Sequence, residues 1–122
     1  MDLVVDPHSS IPPYEQVRLG VIGLIDAGSL AAEDRLPTVR ELAAELGLAN
    51  NTVAKAYREL EMSGVTETRG RNGTFVAARL TGPRRQAITL TKNHVAKLEA
   101  LGIRGPEMLA LLKHEIEAST DY

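Results

Sequence analysis

The sequence contains no cysteine and no tryptophan. Without cysteine there is no disulfide framework and no thiolate metal site, which fits a reducing, cytoplasmic setting. Aromatic residues are equally scarce, with three tyrosines and one phenylalanine in 122 residues. The core must therefore come from Leu, Val, Ile and Ala, a composition that suits helices. No apolar run is long enough to span a bilayer, so no membrane partner is expected. The segment MDLVVDPHSS lacks the basic start and long apolar stretch of an export signal. There is also no phosphate-cradling glycine loop, no serine elbow and no paired-histidine ligand spacing. An enzyme, a metal site and a bound cofactor are therefore not expected. His8, His94 and His114 are scattered, and the latter two fall at the polar rim of apolar helix stripes.

An excess of positive charge is missing too. The formal net charge is −2, which by itself argues against a nucleic-acid partner. The distribution matters more than the sum. Glu15, Asp26, Glu33, Asp34, Glu41 and Glu45 crowd the early helices and their loop, while Arg40, Lys55, Arg58, Arg69 and Arg71 gather on what would be one face. A mildly acidic body with a basic face can still bind DNA, with weaker non-specific attraction than a wholly basic domain.

What is present centres on Leu36–Gly64, LPTVRELAAELGLANNTVAKAYRELEMSG. Thr38 followed three residues later by Glu41 is the spacing of a capping box. Val39, Leu42, Ala43 and Leu46 repeat with a helical period, and Gly47 sits where a left-handed residue ends such a helix. Asn50 is expected to cap a second helix that buries Val53, Ala56, Tyr57 and Leu60 and ends at Gly64. Its other face carries Asn50, Asn51, Thr52, Lys55 and Arg58. Two short helices joined by a tight turn form a helix-turn-helix, whose second helix places its N-terminal residues at base edges in the major groove. Asn reads adenine, Thr meets a base edge or a thymine methyl, and Lys and Arg neutralise phosphates. For an isolated helix, the same pattern would more often mean an ordinary solvated face.

The flanking segments shift that balance. Residues 1–10 read as an arm, with Leu3, Val4 and Val5 as a small edge strand. Pro13 is placed to start a helix whose stripe is Tyr14, Val17, Val21, Leu24 and Ile25. Gly20 and Gly23 within it are either close-packing points or weak points, and residues 29–36 read as a loop. After Gly64 the period changes to alternation. Residues 65–69 and 74–77 read as paired strands around Gly70-Arg71-Asn72-Gly73, in which Asn-Gly signals a hairpin turn. The tip, with Arg69, Gly70, Arg71 and Asn72, is the wing of a winged helix, placed to reach a phosphate or the minor groove. A linker is expected over 79–86. Beyond it two short helices carry Ile88, Thr91, Val95, Leu98 and Leu101, then Met108, Leu109, Leu112 and Ile116. Helices this short are marginal alone. The simplest arrangement is a two-fold homodimer, with Val95, Leu98, Leu101, Met108, Leu109, Leu112 and Ile116 at the interface.

The expected fold is thus mostly α with a small β-hairpin wing. A winged helix-turn-helix over 11–78 is followed by a two-helix dimerisation tail over 87–122. The alternatives are a winged helix used only for protein contacts, and a regulator with a small-molecule effector or metal pocket between the tail helices.

Residues 11–78 resemble the N-terminal domain of the GntR family of bacterial transcription regulators. The likeness is carried by Tyr14-Glu15-Gln16, Asp34-Arg35-Leu36-Pro37, Arg40-Glu41-Leu42-Ala43, Leu46-Gly47, Asn51-Thr52-Val53, Leu60-Glu61-x-x-Gly64 and Gly73-Thr74-Phe75-Val76. The short tail is similar to that of the YtrA-like branch, which implies dimerisation through the tail and repression of a transporter operon. The resemblance assigns DNA contacts to Arg40, to Ala49–Thr52 and to Gly70–Asn72. The sequence departs from the family pattern at Ala49, at Asn50 and in the spacing of the wing glycines.

Overall fold

The computed structural model describes residues 1–78 and 82–119. They form five helices and one two-stranded sheet: α1 (Pro13–Asp26), α2 (Val39–Leu46), α3 (Asn50–Met62), β1 (Thr66–Thr68), β2 (Thr74–Val76), α4 (Gly82–Ala100) and α5 (Gly105–Ser119). The chain divides into two compact units, residues 1–85 and 86–122.

The first unit is built on α3, which packs against both α1 and α2. Pro13 occupies the first turn of α1, where its missing N–H is no loss. Val17 and Val21 of α1, Leu42 and Ala43 of α2, and Val53, Ala56, Tyr57 and Leu60 of α3 make one core with Leu36, Val65 and Val76. Both expected ends of α2 are present. Thr38 Oγ1 accepts from the Glu41 N–H at 3.1 Å, the Glu41 carboxylate accepts from the Thr38 N–H at 3.1 Å, and Gly47 is left-handed with φ 68°. The two hydrogen bonds with Thr38 hold the Glu41 carboxyl below the usual range.

Three local expectations need correction. The arm contains no strand. Met1, Leu3 and Val5 instead pack directly on the core, while Gln16 holds the backbone of Asp6 and Ile11 through three hydrogen bonds of 2.8–2.9 Å. An extended segment whose side chains are bound and whose backbone is met by a glutamine needs no neighbouring strand. The hairpin keeps the expected loop at Gly70–Gly73, but Asn-Gly does not form its turn. The register Thr66↔Val76, Glu67↔Phe75, Thr68↔Thr74 leaves Arg69 to Gly73 outside the ladder. Gly70–Asn72 form a single 3₁₀ turn, closed by the Arg69 N–H on the Gly73 carbonyl at 2.8 Å. Gly70 and Gly73 both carry positive φ, 54° and 105°. Finally, residues 29–36 are not merely a loop. An isolated bridge pairs Arg35 with Phe75, and the Leu36 N–H donates to the Thr74 carbonyl at 2.8 Å, so this segment lies along β2.

Gly20 and Gly23 turn out to have different roles. A Cβ on Gly20 would run into the Leu3 side chain, whereas one on Gly23 would meet nothing within 4 Å. Gly23→Ala should therefore raise the stability of this unit by about 1 kcal/mol, or roughly 4–8 °C in Tm for a domain of this size. Gly20→Ala should gain less or lose, because it displaces the arm. Paired thermal melts separate the two, and equal gains would contradict the contact with Leu3.

In the second unit, α4 and α5 are joined by a turn in which Gly102 has φ 84°. The expected linker ran over 79–86. Residues 79–81 lie outside the described residues, and 82–86 are already helical, so that part of the expectation is corrected. Pro83 stands in the first turn of α4, where proline starts a helix rather than breaking it. Between α4 and α5 runs a groove of about 570 Å³, lined by apolar side chains including Leu90, Val95, Leu98, Leu109 and Leu112, with His94 at its wall. Leu98 and Met108 are half-buried there. Leu101 and Ile116 lie outside the groove walls and are exposed. No described helix is long and apolar enough to cross a membrane.

Candidate nucleic-acid interface

The turn between α2 and α3 fixes which residues face outward. After left-handed Gly47, the Leu48 N–H returns to the Ala43 carbonyl at 2.9 Å. Ala49 is extended and is the cap residue of α3, with no side-chain acceptor to offer. The expected cap, Asn50, is instead the first helical residue. The reason is geometric: the Ala49 carbonyl already receives the first helical bonds, from the Thr52 and Val53 N–H groups. One consequence is that no side chain closes the N-terminus of α3. Its first N–H groups and the positive end of its dipole are therefore left to an outside acceptor such as a phosphate.

The rotation of α3 is set by its core face. Val53, Ala56 and Leu60 are fully buried and Tyr57 nearly so. The Tyr57 hydroxyl donates to the Pro37 carbonyl at 2.7 Å, tying α3 to the residue before the α2 cap. Burial, and then the nearby Glu41 and Glu45, push the phenol pKa upward. Behind α3, Arg18 joins the buried Glu15 at 2.9 Å and Glu59 at 3.9 Å, linking α1 to α3. With that face locked, Asn50, Asn51, Lys55 and Arg58 are exposed and Thr52 is half-buried. Arg40 is exposed on α2.

Two of the expected cations have partners inside the protein. The Lys55 ammonium stands 3.9 Å from the centre of the Tyr14 ring, an attraction that places it at the α1 side of the reading face. Arg69 is more firmly held. It binds Glu67 through two nitrogens, approaches Glu33 at 3.4 Å and stacks over Phe75 at 4.4 Å. The hydrogen bond to Glu67 raises its pKa further above the usual arginine value. At the wing tip, Gly70, Arg71 and Asn72 are exposed.

Sequence reasoning did not single out Arg35 as a wing residue. Its guanidinium lies against Gly73, with Nε 3.0 Å from where a Cβ would be. The positive φ favours glycine at 73, and a side chain there would also press on this guanidinium. The only signal in the sequence was the Asp34-Arg35-Leu36-Pro37 run, and it does not reveal pairing with β2. Among the described residues, no group of three His, Asp or Glu side chains is arranged to hold a metal ion.

Residues 13–76 match the family described as "Bacterial regulatory proteins, gntR family". The chain is 43% identical over 112 residues to the HTH-type transcriptional regulator Rv1152 of Mycobacterium tuberculosis, covering 92% of each chain. It is 44% identical over 73 residues to the HTH-type transcriptional repressor YtrA of Bacillus subtilis, covering 60% of this chain and 56% of that one. Among solved structures it is similar to the DNA-binding domain of AraR in complex with operator ORX1, with a TM-score of 0.55 and 31% identity, over 62% of this chain and 93% of that one. The chain belongs to the GntR family and is a DNA-binding transcriptional regulator built on a winged helix-turn-helix.

Proposed function

We propose that the protein is a repressor that acts as a homodimer on a two-fold symmetric operator, with one α3 in the major groove of each half-site and each wing against the flanking backbone. The observation that carries this reading is the division of α3. Val53, Ala56, Tyr57 and Leu60 lock one face into the core while Asn50, Asn51, Lys55 and Arg58 stand exposed on the other. A repressor relative and an operator-bound relative support the same assignment. Asn50, Asn51 and Thr52 occupy the first turn, the part of a recognition helix that reaches base edges. Arg40, Arg58, Arg71 and the open N-terminus of α3 supply phosphate contacts. Pairing is assigned to the apolar groove of α4 and α5, through Val95, Leu98, Met108, Leu109 and Leu112. A two-fold pair then sets half-sites about one helical turn, or a multiple of it, apart.

Selection of duplexes from a random pool tests this reading, since it reports binding, symmetry and spacing together. Asn51→Ala should change preference at one position per half-site by about 1–3 kcal/mol. Arg40→Ala should weaken all sequences alike and make the salt dependence shallower by about 0.9 log unit per log salt. A selected pool without two-fold repeats, or an unaltered preference in Asn51→Ala, would remove the assignment.

A further inference from the structure

The wing carries two arginines, and they sit in opposite surroundings. Arg71 is exposed at the tip. Arg69, at the base of the loop, meets two carboxylates and one ring. Glu67 comes from its own strand, Glu33 from the segment before α2, and Phe75 from the paired strand. Two carboxylates around one guanidinium leave this cluster with a formal charge of −1. Glu33 is the one non-glycine described residue with positive φ, 71°, and its N–H donates to the Val76 carbonyl at 2.9 Å. A residue held in that conformation implies a surrounding structure that fixes it. The cluster joins three separate stretches of chain at the point where the loop leaves the ladder.

We propose that Arg69 is not a DNA contact but a positioning residue, a latch that fixes the wing on the segment before α2 and so presents Arg71 and Asn72 to the duplex. A guanidinium suits this role better than an ammonium, because its planar fork engages a carboxylate while its face stacks on a ring. A phosphate reaching Nε or Nη2 of Arg69 would have to displace the carboxylates of Glu67 or Glu33 that hold those nitrogens. Of the two arginines between β1 and β2, Arg71 alone then contributes its charge to the duplex, and the shape of the loop depends on Arg69.

This inference rests on the DNA-binding reading above, and the salt dependence of binding tests it. An arginine that neutralises a phosphate adds about 0.9 to the slope of log affinity against log salt. Arg71→Ala should make the slope shallower by about that amount. Arg69→Gln should lower affinity and make the slope shallower by no more than Arg71→Ala does, since a loosened wing no longer presents that side chain; the double variant should therefore also be shallower by only about 0.9. A double variant shallower by about 1.8, with the two affinity losses adding in full, overturns the latch. If Arg69→Gln fails to fold, the pair Glu33→Gln with Glu67→Gln serves instead. It should loosen the wing in the same way and shrink the further loss caused by Arg71→Ala, and an undiminished loss from Arg71→Ala overturns the latch.

A measurement on the DNA-free protein separates failure of this inference from failure of the DNA-binding reading. Proton exchange at the Arg69 Nε–H should be slow and should quicken in Glu67→Gln. Exchange that is fast from the start, or unchanged by Glu67→Gln, rules out the latch whatever the duplex experiments give.

Discussion

Leu109→Asp combined with Leu112→Asp should convert the proposed homodimer to a monomer and weaken operator binding by roughly 10²- to 10⁴-fold. Both leucines lie on α5 along the apolar groove, 70% and 52% exposed. A pair formed there would bring four aspartates into an apolar contact with no described cation lining the groove to receive them. Burying an unpaired carboxylate is far less favourable than leaving it in water. The loss on DNA follows from linkage. Once one α3 of a dimer is seated, the second half-site is bound at an effective concentration set by the protein itself, and avidity gains of about 10²- to 10⁴-fold are typical. A monomer forgoes that gain while each half-site contact remains intact. Sedimentation should show the halved mass, and footprints should shrink to single half-sites. The helices of the first unit should be unaffected, whereas α4 and α5, marginal without a covered apolar face, should lose part of their helix content. A variant that still sediments as a dimer places the interface elsewhere.

The parts of this molecule that were legible in its sequence are those whose geometry closes within a few residues. The Thr38–Glu41 reciprocal cap, left-handed Gly47 and the Val53, Ala56, Tyr57, Leu60 face all follow from helical spacing, and all stand in the structure. The cap of α3 was assigned one residue late because asparagine is the better capping side chain, yet the position depends on where the preceding turn delivers the chain. The wing loop falls where the sequence placed it, but the turn within it was misread for a similar reason. Asn72-Gly73 carries the letters of a tight hairpin, but the Thr68↔Thr74 register admits a longer loop. What could not be read was pairing across long separations: Leu3 against Gly20, Arg35 against Gly73, and Glu33 with Arg69. These depend on how α1, α2 and the wing come together. The last two fix how Arg35 and Arg69 are held, so the exposed polar face of α3 was legible but the partners of these wing cations were not.

The second large effect concerns the scaffold rather than the contacts. Leu60→Ala should cost about 2–5 kcal/mol, the range for a buried leucine truncated in a core that cannot collapse. Leu60 is fully buried in α3, within the core that α1, α2 and the β strands share. Its carbonyl also receives the Val65 N–H at 3.0 Å, where α3 turns toward the wing. A unit of about 85 residues has roughly 4–13 kcal/mol of stability to lose. Truncating this one buried leucine therefore removes a large share of the stability that holds the reading helix in place. Urea unfolding should show a lower midpoint at an unchanged slope. DNA binding should fall with temperature in step with the folded fraction and recover on cooling. The surviving folded molecules should keep the wild-type base preference and salt slope, because no group facing the duplex has changed. Asn51→Ala should behave in the opposite way, with the melting temperature held and the preferred sequence altered. If Leu60→Ala shifted base preference at full stability, α3 would not be positioned by its buried face, and the division of that helix into a packing side and a reading side would fall.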